Sequence, residues 1–107
     1  MKNDYKEMMR YRIEEMDRRK EHMGKRLEER IKHMDAMNED MLKRFEERLK
    51  FRGLGEEDIR NILDERVKEN DRRKKEMIKV MEERLDEIDR RREELYKNIN
   101  ELADEEE

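Results

Sequence analysis

Aligned on itself, the chain repeats every 18 residues. Residues 9–26 read MRYRIEEMDRRKEHMGKR and residues 27–44 read LEERIKHMDAMNEDMLKR; residues 63–80 read LDERVKENDRRKKEMIKV and residues 81–98 read MEERLDEIDRRREELYKN. Phe45 and Ile99 open two further, imperfect copies. An α-helix turns once in about 3.6 residues, so a repeat of this length closes about five whole turns and each copy presents the same face. A seven-residue repeat drifts around the helix and winds its helices into a left-handed supercoil. The longer repeat does not drift, and it predicts nearly straight helices.

Apolar residues recur at offsets 1, 5, 8 and 15 of each copy. In the first half they are Met9, Ile13, Met16 and Met23, then Leu27, Ile31, Met34 and Met41, then Phe45 and Leu49. In the second half they are Leu63, Val67 and Met77, then Met81, Leu85, Ile88 and Leu95, then Ile99. That spacing draws one stripe, on the order of 80–100° wide, along each helix. Leu42, Ile78 and Tyr96 widen it on one flank, and Ile62 and Val80 on the other. A seam between two helices needs only the narrow stripe. The surplus on the second helix, at Ile62, Ile78, Val80 and Tyr96, predicts a contact between subunits.

The ends are also legible. Asp4 with Glu7 three residues later reads as a capping box ahead of the first stripe. Gly53 suits the position just past a helix end, because glycine takes the left-handed conformation without cost, and Leu54 supplies the accompanying apolar residue. Gly55 followed by Glu56, Glu57 and Asp58 reads as a new start, with acidic side chains against the positive end of the helix dipole. The reading is a helix over about 4–52, a turn at 53–55, a second helix over about 56–103, each roughly 70 Å long, and an acidic tail at 104–107 that frays. A turn centred on Leu54 makes the helices antiparallel with facing positions that sum to about 108. Asn38 then faces Asn70, Lys20 faces Ile88, Lys74 faces Met34 and Arg92 faces Met16.

Composition matters here because 58% of the residues are charged and 32% hydrophobic, with a mean hydropathy of −1.61. Such polarity suggests disorder, but the net charge is only −4 and the apolar residues are strongly periodic. No Ser, Thr, Gln, Pro, Cys or Trp occurs. Natural coiled coils avoid Pro and Cys, but losing Ser, Thr and Gln as well reads as a chosen alphabet. In this the chain resembles de novo designed helical hairpins and bundles, a general resemblance that covers the whole sequence and rests on no functional motif. No apolar run approaches a membrane span or a signal-peptide core, so the chain reads as soluble, with no address in the sequence beyond the cytoplasmic expression usual for a designed protein.

Candidate sites divide between sharp and plain readings. Asn38 and Asn70 pair across the seam and penalise shifted registers, as a buried Asn does in coiled coils, or else sit at a wet edge. Lys20, Lys74 and Arg92 fall on the stripe, where long stems pack and charged heads reach solvent or a nearby Glu; a buried anion site is the sharper alternative. His22 and His33 stand 11 residues apart on one helix, about 16 Å and too far to share an ion. The DRR runs at 17–19, 71–73 and 89–91 wrap around the helix and make no local basic face, which argues against nucleic acid. Their charges serve i,i+4 pairs such as Glu15–Arg19 and Glu87–Arg91. Methionine holds the same stripe offsets as Leu and Ile, at Met9, Met16, Met23, Met34, Met41, Met77 and Met81, so it reads as core and not as a promiscuous groove. There is no Ser, Thr or Cys nucleophile and no glycine-rich phosphate loop.

The expectation is therefore an all-α antiparallel two-helix hairpin that pairs with a second copy into a four-helix bundle. Its expected role is structural: a self-assembling scaffold that is not an enzyme, needs no cofactor or metal and takes no small-molecule ligand. The alternatives are an adaptor coiled coil for a foreign helix and an amphipathic lipid-surface binder similar to the exchangeable apolipoproteins.

Overall fold

Glu, Lys, Arg, Leu and Met dominate the chain and proline is absent, so nearly every position favours helix and nothing interrupts it. The computed structural model describes the backbone of residues 2–106 and the side chains of residues 4–102. Two helices account for almost all of it: α1 spans Lys2–Phe51 and α2 spans Glu56–Glu106, of 50 and 51 residues. They pack against each other as a hairpin, and no strand occurs among the described residues. Two end details differ from the sequence reading. Helix α1 already begins at Lys2, so Asp4 lies inside its first turn, where it faces the helix dipole and does not cap it. Helix α2 continues to Glu106 through the acidic tail that was expected to fray, and Glu107 lies outside the described residues.

The reversal follows from one backbone torsion. Gly53 has φ +81, a left-handed value that costs a side-chain-bearing residue free energy. With Gly53 turned this way, its N–H donates to the Lys50 carbonyl at 3.0 Å, and the Leu54 N–H reaches back to the Leu49 carbonyl at 3.3 Å. These two bonds are the Schellman pattern, and they satisfy carbonyls that the end of α1 leaves without helical partners. Helix α2 starts immediately: the Ile59 N–H donates to the Gly55 carbonyl at 3.0 Å, and Glu56, Glu57 and Asp58 fill the first turn.

The chain divides into two compact units. The outer one comprises Met1–Arg26 with Met81–Glu107, and the inner one is Leu27–Val80. In the outer unit Met9, Ile13 and Ile99 form a buried cluster, with Leu95 and Leu102 packed against it. Positions 9 and 99, and 13 and 95, obey the expected sum. In the inner unit the buried residues next to the turn are Leu49 and Ile59, which obey it too. Ile59 stands at offset 15 of the imperfect copy that Phe45 opens, 18 residues before Met77, in a copy that spans the turn. Met41 and Val67 are stripe residues that face each other by the same rule, yet they remain 52% and 48% exposed. Their layer adjoins Asn38 and Asn70, where side chains are small or polar and fill the seam poorly.

Candidate functional site

Offset 12 of each copy holds Lys20, Asn38, Lys74 or Arg92, and offset 9 holds Asp17, Asp35, Asp71 or Asp89. The antiparallel register brings these two offsets together across the seam. In the outer unit Lys20 Nζ donates to Asp89 Oδ1 at 2.7 Å. Reciprocally, Arg92 lies against Asp17, with Nε 2.7 Å from Oδ1 and Nη2 donating to Oδ2 at 3.4 Å. The close Nε approach lacks hydrogen-bond alignment, and that buried nitrogen has no partner in line with its N–H. In the inner unit Lys74 Nζ reaches both oxygens of Asp35, at 2.9 and 3.1 Å. The three cations thus stand on the stripe with partly exposed heads, and the carboxylates they meet are aspartates of the opposite helix. All three pairs are partly exposed, so each contributes about 0–1 kcal/mol.

The inner unit departs from this pattern at one corner. By the repeat, Asn38 stands to Asp71 as Lys20 stands to Asp89, and the amide has no charge to offer. Asp71 is paired along its own helix by Lys75 at 2.9 Å. Asn38 and Asn70 line one open hollow with Asp35, Leu42, Val67 and Lys74, as the register expects. No hydrogen bond joins the two amides among the described residues, and both are only half-buried.

The four residues expected at a subunit contact do not form one surface. Counting about 100° per residue, Ile62 and Val80 flank the stripe of α2 on one side and Ile78 and Tyr96 on the other. Val80 is 48% exposed and Ile62 and Ile78 are half-buried. The Tyr96 ring, 44% exposed, carries the Arg92 guanidinium 5.2 Å from its centroid.

The same angular count separates charge, a feature that single runs conceal. On α1 of the inner unit one flank of the stripe holds Glu28, Asp35, Glu39 and Glu46, with Lys43 and Lys50 pairing Glu39 and Glu46 at 3.5 and 3.3 Å from just beyond it, and the other holds Arg30, Arg44 and Arg48, with Asp40 pairing Arg44 at 3.1 Å. On α2 the first flank holds Glu57, Asp64 and Asp71 with Arg60 and Lys75, and the second holds Arg66 and Arg73 with Glu69. The acidic flanks of both helices open on one side of the seam. Asp35, Glu39, Asp71 and Lys74 border a single hollow, and Glu46, Lys50, Glu56, Arg60 and Asp64 border another. On the opposite side Arg66 crosses the seam to lie 4.9 Å over the Phe45 ring. In each DRR run the Asp goes to the acidic flank and the second Arg to the basic flank. Each run wraps the helix as expected, yet the repeat assembles from them a basic side. The outer unit, taken by itself, is more mixed: Asp17, Glu21, Glu82 and Asp89 share one flank with Arg10, and Arg12, Arg19, Arg84 and Arg91 share the other with Glu15 and Glu87.

Local pairs decorate the outer edges. Glu87 and Arg91 pair at 2.9 Å, while Glu15 and Arg19 are not paired. Glu69 accepts from Arg72 at 2.6 Å and from Arg73 at 3.3 Å, and the Arg72 hydrogen bond holds its carboxyl below the ordinary value of 4.5. The same pairing raises Arg72. Among the described residues no group of three or more His, Cys, Asp or Glu is placed to hold a metal ion, and no helix is long and apolar enough to cross a membrane. No family model, curated protein or solved structure matches this chain.

Proposed function

We propose that the chain is a structural module of the designed kind, a helical hairpin that associates with copies of itself and serves as a scaffold, without a ligand or a reaction of its own. The observation that carries this reading is area. The accessible surface is 9206 Å², roughly 40% above the about 6,600 Å² typical of a compact chain of this mass. Only Met9, Ile13, Leu49, Ile59, Met81 and Ile99 are buried among the described residues, and Met37, Met41, Val67 and Val80 stay about half exposed. Covering such residues is what a second copy accomplishes in a helical bundle.

The test is the solution mass from micromolar to several hundred micromolar, with and without lipid vesicles. A mass that rises with concentration and ignores vesicles supports the scaffold. A monomer throughout that range overturns it. A second reading, an adaptor for a foreign helix, is favoured by Phe51, which is 95% exposed at the end of α1 beside Arg48 and Arg52; an aromatic among arginines is the composition that dominates protein contacts.

A further inference from the structure

We infer that copies of the chain join side to opposite side, the basic side of one inner unit against the acidic side of the next, so that assembly is open-ended and not a closed pair. This deepens the scaffold reading and rests on it. The basic side of the inner unit offers Arg30 and Arg48, which make no ion pair among the described residues. Beside them stand Met37, Met41, Phe51 and Val80, between 48% and 95% exposed. Arg44 and Arg73 add charge there, held by Asp40 at 3.1 Å and Glu69 at 3.3 Å. The acidic side offers Glu28 and Asp64, also without ion pairs among the described residues, around the half-buried Leu42 and Ile78. Both sides therefore combine apolar residues with charge, and the charges are opposite.

Symmetry turns that complementarity into a prediction about closure. A two-fold dimer uses the same patch on both partners. Through the basic side it sets arginines of one chain against arginines of the other, and through the acidic side carboxylates against carboxylates. Like charges facing across an interface suppress the contact, and opposite ones steer it together. A contact between unlike sides leaves one free side of each kind at every stage, so it continues.

Two charge-reversed chains test this. In the first, Arg30→Glu, Arg44→Glu and Arg48→Glu make both sides acidic; in the second, Glu28→Lys, Glu39→Lys and Asp64→Lys make both sides basic. Sedimentation is read at low and at high salt. The wild-type mass should pass beyond two chains with rising concentration and fall at least several-fold at 0.5 M salt. Each reversed chain alone should stay monomeric, and the equimolar mixture should grow again. Arg30→Gln with Arg48→Gln weakens growth while leaving the helix signal unchanged, and it carries the test if a reversed chain loses that signal. A wild-type mass that stops at two chains and ignores both reversals overturns the unlike-side contact while leaving self-association standing. A wild-type chain that stays monomeric removes both. Basic-side binding to anionic vesicles or to single-stranded oligonucleotide, lost in the first reversed chain and with no self-association, assigns that side to a different partner and overturns the inference.

Discussion

Gly24 lies inside α1, and a Cβ built there meets no heavy atom within 4 Å. Glycine in a helix interior is less favourable than alanine, so Gly24→Ala should raise the unfolding free energy by about 0.5–1 kcal/mol in urea titration. Gly53 is the opposite case despite equally open space, because its φ of +81 is strained for any other residue. Gly53→Ala should cost about 1–2 kcal/mol. The amides give a third residue-scale prediction. Replacing Asn38 and Asn70 together by Leu adds apolar burial worth up to about 1.5–3 kcal/mol per side chain, less here because the layer is open. Stability should rise, and the single Asn38→Leu should gain less than the double change. A less stable double variant with one homogeneous state would show that the amides do not hold the register. Glu69 sets a pH dependence. Its carboxyl is lowered in the folded state by Arg72, so its contribution is present above the unfolded value and disappears as pH falls through and below 4.5. Glu69→Gln should flatten that part of the acid-side loss of helix signal.

At the scale of the helices, the register is the property to check. Cysteines placed at 38 and 70 should crosslink within one chain, whereas 38 with 63 should not; equal yields would mean that the helices slide. The turn and this register were legible in the sequence, because Gly-Leu-Gly marks the reversal and the 18-residue repeat keeps every facing pair in phase. Three things were not. Ile59 was missed because the imperfect copy in which it holds offset 15 is broken by the turn, although facing Leu49 buries it to 6% exposure. The aspartates that bind Lys20, Lys74 and Arg92 were missed because offset 9 lies about 60° from the cations on the same helix, and only the antiparallel partner brings the two together. The two charged sides were missed because neighbouring residues point about 100° apart. Charge therefore has to be summed along the helix at constant angle before it becomes visible.

For the whole molecule, the question is how many chains make the working unit. Replacing Ile78 and Tyr96 by Glu should lower the sedimentation mass at several hundred micromolar and reduce the melting temperature by a few degrees. An unchanged mass would place the contact elsewhere. The left-handed glycine at 53 bears on the same number through a different route. If the residue there adopted right-handed torsions, α1 would run on into α2, and each helix would find its antiparallel mate only on another chain. The apolar layers at Met9 and Ile99, Ile13 and Leu95, and Leu49 and Ile59 follow one facing rule, so an exchanged pair can form the same layers that the hairpin forms within itself. Contact energy then hardly distinguishes the two forms. A four-residue connection, Arg52 to Gly55, holds the mate at an effective concentration on the order of millimolar or more, which favours the hairpin at ordinary protein concentrations. Substituting alanine at 53 and 55 together should therefore shift the chain toward exchanged dimers that dissociate slowly on dilution. One backbone torsion sets the molecularity of folding.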